Sequence, residues 1–162
     1  MDAIIKTVLD NGGSIAGGFV REWVRFGEPQ NKGWNDVDVF CGKETNKQAI
    51  EAKLRELGVA VDFRAQPPFN DYYCNCWMFD GEIKPVEATN KKFSVEEIKE
   101  QTINSQAKPI GGAAFRIDKI ISFFKNGWDV YFLNGKLATK EKIIQLAKNP
   151  IIGTTNLNRV EI

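Results

Sequence analysis

SIAGGFVREWVRFGEPQNKGWNDVDVFC, residues Ser14 to Cys41, reads as a short apolar strand, a glycine turn, a helix, a polar loop and a second strand. Gly17 and Gly18 close a strand over Ser14–Ala16 and open a helix over roughly Phe19–Phe26. Glycines there let the backbone approach a ligand closely, and the first free N–H groups of the helix converge on the same point, which suits an anion. Asp36 and Asp38 stand two apart in the second strand, so the pleat sends both carboxylates to one face. Val37 and Val39 face the other way, into a core. Adjacent carboxylates repel at neutral pH unless a cation lies between them. An oxygen pair beside a phosphate cradle is what Mg²⁺ needs to hold a nucleotide. Singly, a Gly-Gly turn and an Asp-x-Asp strand end are commonplace. In this order, within one strand–turn–helix–strand unit, they point to a site.

Composition narrows the setting. The chain has 162 residues, 43% hydrophobic and 27% charged, as expected of one globular domain with a full core. Nothing approaches the apolar length of a membrane span, and the first residues, MDAIIKTVLD, lack a signal-peptide layout. A cytoplasmic protein without membrane contact is the expectation. The net charge of +1 carries no global excess of the kind that gripping long nucleic acid requires, so any RNA-binding patch is local. There is no histidine, which removes Ser-His-Asp chemistry. Cys41, Cys74 and Cys76 are odd in number, and Cys74 and Cys76 are spaced one residue short of a zinc knuckle.

Along the chain, Asp2–Leu9 has the apolar spacing of an amphipathic helix, and Glu44–Leu57 is a helix with Ile50, Leu54 and Leu57 on one face. Val59–Phe63 is a short strand. Asp71–Phe79 reads as an aromatic-rich strand turning at Asp80-Gly81 into Ile83–Thr89. Tyr72, Tyr73, Trp77 and Phe79 could form a base-stacking platform, although sheet packing explains them as well. Ser94 and Glu97 form a capping box. Ala114–Asn126 is the strongest helical run, Trp128–Leu133 is a short apolar run, and Thr139–Ala147 is a last helix capped by Thr139. From about Pro150 the chain reads as an irregular tail. The expectation is one α/β (α+β) domain over 1–162: a mixed sheet of about five strands with helices packed against it.

GGFVRE followed by NDVDVF resembles the head domain of tRNA CCA-adding enzymes and bacterial poly(A) polymerases, in the polymerase-β-like nucleotidyltransferase superfamily. Their signature is Gly-Gly-x-Val-Arg-Asp, a short loop, then Asp-x-Asp. Gly17, Gly18, Val20, Arg21, Asp36 and Asp38 fall on it, with Glu22 where the family has Asp and a somewhat long loop from Gly27 to Asn35. Pro85–Thr89 is similar to the family's third strand. It makes Glu87 a candidate third carboxylate, one position out of register; an ordinary exposed strand glutamate accounts for it equally. Thr102-Ile103-Asn104 and Arg116 also match. Gly112 and Ala113 replace the acidic pair before that arginine, and Ile98, Lys99 and Glu100 replace an Arg-Arg-Asp. The likeness runs from about Ser14 to Trp128 and is densest at its first motif.

The resemblance implies a nucleotidyltransferase fold and transfer of a nucleoside monophosphate from an NTP to an acceptor hydroxyl, releasing pyrophosphate. Asp36 and Asp38 would hold two Mg²⁺ (or Mn²⁺) ions, with Glu87 supporting. Gly17, Gly18 and Arg21 would cradle the phosphates. Arg116 and Lys119, one helical turn apart, would reach the nucleotide or simply face solvent as a basic pair. ATP and/or CTP is the implied substrate, selected loosely because the base-reading residues have changed. The favoured acceptor is an RNA, in particular a tRNA 3′ end. Two alternatives stand beside it: a protein or small-molecule acceptor, and a nucleotide- or partner-binding protein that has kept the fold without turnover.

Overall fold

A computed structural model of the chain describes residues 2–65, 71–86, 92–111 and 116–148. Its contacts divide into two compact units: 1–68 with 75–89, and 69–74 with 90–162. Among the described residues no helix is long and apolar enough to cross a membrane.

The first unit holds the five-stranded mixed sheet expected from the sequence. Its elements are α1 (Asp2–Asp10), β1 (Gly13–Ala16), α2 (Gly18–Phe26), β2 (Val37–Cys41), α3 (Lys47–Glu56), β3 (Val61–Arg64), β4 (Trp77–Phe79) and β5 (Ile83–Pro85). The strand order is β3-β2-β1-β4-β5. Only β2 and β3 run parallel, because α3 crosses between them. α1, α2 and α3 pack on the sheet. Ile4, Val8, Ile15, Phe19, Val20, Val37, Val39, Ile50 and Leu54 are buried, so the apolar faces of the three helices point inward, whereas Leu57, expected on the α3 face, caps the helix end and is exposed.

Boundaries shift where side chains cap. α3 begins at Lys47 rather than Glu44 because the Asn46 side chain accepts from the Ala49 N–H at 3.1 Å. β3 begins at Val61 rather than Val59 because the Val59 N–H still closes the end of the helix on Leu54 O. The expected strand over Asp71–Phe79 is the largest difference. A 3₁₀ turn at Tyr73–Asn75 interrupts it, and only Trp77–Phe79 joins the sheet. Asp71 to Tyr73 bond instead to residues 108–110: the Tyr73 N–H donates to Lys108 O, and the Ile110 N–H to Asp71 O. The Asp80-Gly81 hairpin forms as expected, pairing β4 antiparallel with β5.

The second unit contains α4 (Val95–Ile103), β6 (Gln106–Ala107), α5 (Ile117–Lys125), β7 (Asp129–Val130) and α6 (Lys140–Lys148). β6 and β7 form a two-stranded parallel sheet. Tyr72, Cys74, Ala107, Ile120, Phe123, Trp128, Val130, Phe132, Ala138, Ile143 and Leu146 make one buried cluster. Tyr72 and Trp128 both meet Phe123 edge-on. In the first unit Trp77 is buried and Phe79 packs on Trp23 at 4.7 Å, so these rings serve packing. The last helix is capped by Thr139, whose Oγ1 accepts from the Lys142 N–H. The tail from 149 onward and residues 112–115 lie outside the described residues.

Both halves of the capping box at α4 are present. The Glu97 N–H donates to Ser94 Oγ, and the Ser94 N–H donates to Glu97 Oε1, each at 3.1 Å. Ser94→Ala should lower stability by about 1 kcal/mol in urea unfolding. The bond from the Ser94 backbone holds the Glu97 carboxyl below its ordinary value. That contribution is therefore complete above the ordinary value and is lost as pH falls through the depressed one. Glu97→Gln should flatten this acid-side slope of the stability–pH curve.

Candidate functional site

Register builds the site. Ala16 pairs with Asp38, and Asp38 pairs with Asp62 on its other side. Directly paired residues project to the same face. The row across three strands therefore sets the Asp38 carboxylate between the end of β1, where Gly17 follows, and Asp62. Asp36 sits one residue before β2 rather than inside it, yet its carboxylate still joins the group. One carboxylate oxygen from each of Asp36, Asp38 and Asp62 lies within 4.8 Å of the other two, and all three residues are half-buried.

Asp62 carries no motif signal in the sequence, and its strand has an ordinary apolar pattern. What places it is parallel pairing of β3 with β2, a tertiary event. Its Oδ2 also accepts from Arg64 Nη2 at 2.9 Å and Nε at 3.1 Å on the edge strand. Glu87, the candidate third carboxylate, lies outside the described residues.

Gly17 is held tightly against this group. Its φ of 73° and ψ of −147° belong to a region that side chains exclude, and a Cβ there would overlap Asp38 Oδ2. α2 starts at Gly18 behind Gly17, an N-cap residue with no side chain of its own to accept from the first-turn N–H groups. At Gly18 a Cβ would stand 3.3 Å from Trp34 Cβ and 3.5 Å from Arg21 Nη2. Acidic oxygens and helix-start donors thus lie side by side at the end of β1.

Arg21 lies beside this turn, and each of its three guanidinium nitrogens has a protein partner. Nε donates to Glu22 Oε2 at 2.8 Å, Nη1 to Asn75 Oδ1 at 3.0 Å, and Nη2 to Gly33 O at 2.7 Å. Glu22 is buried and also pairs with Arg25 at 2.9 Å.

Arg116 and Lys119 belong to the second unit. Arg116 is not on the helix with Lys119: it is the extended residue before α5, which begins at Ile117. Its guanidinium pairs with Asp118 at 2.9 Å and holds that carboxyl below the ordinary range. Lys119 pairs with Asp71. A shallow groove lined by Glu51, Arg55 and Gly58 to Val61 contains none of the three clustered carboxylates.

No protein-family model matches the chain, and no curated protein or solved structure matches it either.

Proposed function

We propose that the chain is a divalent-metal-dependent nucleotidyltransferase that moves a nucleoside monophosphate from an NTP to an acceptor hydroxyl. The convergence of Asp36, Asp38 and Asp62 beside the Gly17 turn carries this reading. The donor set fits the ion. Magnesium binds oxygens at about 2.1 Å, so ligands on opposite sides of one ion stand about 4.2 Å apart. Oxygens within 4.8 Å need only a small closure to share an ion, or can bridge two.

When bound, Mg²⁺ or Mn²⁺ would neutralise the triphosphate and the developing charge on the attacking and leaving oxygens. The chain's own groups do the rest. The three carboxylates would hold the metal that orients the triphosphate in line with the acceptor, and the first-turn amides of α2 would donate to phosphate oxygens. The acceptor oxygen attacks the α-phosphorus, the bond to pyrophosphate breaks, and the hydroxyl proton leaves to a carboxylate or to water.

ATP and/or CTP is the proposed substrate and an RNA 3′ end, such as that of a tRNA, the proposed acceptor. Charge supports a polyanionic acceptor: the second unit carries twelve Lys and Arg against eight Asp and Glu, the first ten against thirteen. One observation favours a non-catalytic binding role instead, namely that every Arg21 guanidinium nitrogen is already engaged within the protein.

Incubation with each of the four α-labelled NTPs, Mg²⁺ and total tRNA separates these readings. Label on RNA 3′ ends from ATP or CTP, abolished by EDTA, is the expected result. Label on protein or a small molecule would move the acceptor. Nucleotide binding without transfer from any NTP would favour the binding role.

A further inference from the structure

We propose that Glu22 is a positioning residue: gripped by Arg21 and Arg25, it fastens the loop between α2 and β2 and so sets Asp36 beside Asp38 and Asp62. This rests on the metal-site reading above and adds the device that assembles the site.

The loop from Gly27 to Asp36 contains no helix or strand, so its position depends on what ties it down. The ties converge on Glu22, which is 1% exposed. Its two oxygens are taken by Arg21 Nε at 2.8 Å and Arg25 Nη1 at 2.9 Å. Arg21 then passes the constraint on, since its Nη2 donates to Gly33 O at 2.7 Å. Gly33 has a φ of 88°, and a Cβ there would stand 2.6 Å from Glu22 Oε1. The loop backbone therefore lies directly on a carboxylate that two ion pairs prevent from moving. Trp34 completes the fastening: its ring meets Phe19 at 5.2 Å, and its Nε1 donates to Gln30 O. Asp36 follows two residues later, and the Val37 N–H is fixed on Ala60 O at 2.9 Å. With both flanks fixed, the Asp36 carboxylate has little freedom. A surface loop would not need a buried carboxylate with two arginines; a loop that must deliver one ligand to within 4.8 Å of two others does.

The test is Mn²⁺ binding, followed by the electron spin resonance of the free ion, on protein shown to be folded by circular dichroism. Glu22→Gln keeps the shape and removes the charge, and Gly33→Ala pushes the loop from the other side. Leu54→Ala, a buried core change in the same unit, is the control for stability loss alone. Wild type should bind Mn²⁺. Glu22→Gln and Gly33→Ala should weaken binding about tenfold or more, because a ligand out of place by about 1 Å loses its contribution. Leu54→Ala should keep wild-type affinity. If Glu22→Gln does not fold, Gly33→Ala decides. Wild-type affinity in the folded variants, or equal weakening in Leu54→Ala, would overturn the positioning role and leave the metal site standing. No Mn²⁺ binding by wild type would overturn both.

Discussion

Asp38→Asn should reduce nucleotide transfer about a thousandfold or more while the protein melts no earlier than wild type. Asp38 is the central member of the cluster, flanked in the sheet by Ala16 and Asp62 and faced by Gly17. Asparagine keeps the shape and removes the charge that binds a divalent ion. A metal clamp contributes several kcal/mol in the transition state, and each 1.36 kcal/mol is tenfold in rate. The stability side has the opposite sign. Two unit charges 4.8 Å apart repel by about 1 kcal/mol in water and by more at a protein surface, so removing one relieves the apo protein. Label transfer in Mg²⁺ and melting in EDTA measure the two effects separately. Wild-type transfer by this variant would remove the clustered carboxylates from the chemistry.

Among the described glycines, Gly17→Ala should be the most damaging single methyl group. The residue combines a backbone conformation that is essentially glycine-only, costing about 1–3 kcal/mol, with a Cβ position already filled by the Asp38 carboxylate. Either β1 and α2 separate or Asp38 turns away. Stability should fall by about 3 kcal/mol from strain and overpacking together, and metal binding should be lost with it. Gly27→Ala is the matched control. Its φ of 82° is also left-handed, but nothing lies within 4 Å of the added Cβ. Only the conformational cost of about 1–2 kcal/mol remains there, with the site untouched. Equal losses in urea unfolding for the two variants would mean that contact between Gly17 and Asp38 does not matter.

The parts of this molecule that can be read from sequence are those fixed by neighbours in the chain. The Gly17-Gly18 turn, the end of α2 at Gly27, the Ser94–Glu97 box and the hairpin at Asp80-Gly81 each depend on a few consecutive residues, and each forms where the sequence places it. Asp62 is legible only after pairing is known. Val61-Asp62-Phe63 repeats the apolar–acid–apolar pattern of Val37-Asp38-Val39, but a strand reveals its partner only when α3 has carried it back parallel to β2. The partners of Arg21 show the same limit: Gly33 is twelve residues away and Asn75 fifty-four. A basic residue in a glycine-turn motif reads as a phosphate ligand, whereas its present bonds fasten a loop. The division into two units is announced by no linker-like stretch in the sequence, because the chain passes between them three times, at residues 68–69, 74–75 and 89–90.

The most direct measurement is a Mn²⁺ titration of wild type and of the single variants Asp36→Asn, Asp38→Asn and Asp62→Asn, with and without ATP. Wild type should bind the ion and bind it more tightly with nucleotide present, and each variant should lose that binding, Asp62→Asn included. Binding that survives in all three variants, or wild type that binds no Mn²⁺ even with ATP, would contradict a metal centre built from these carboxylates.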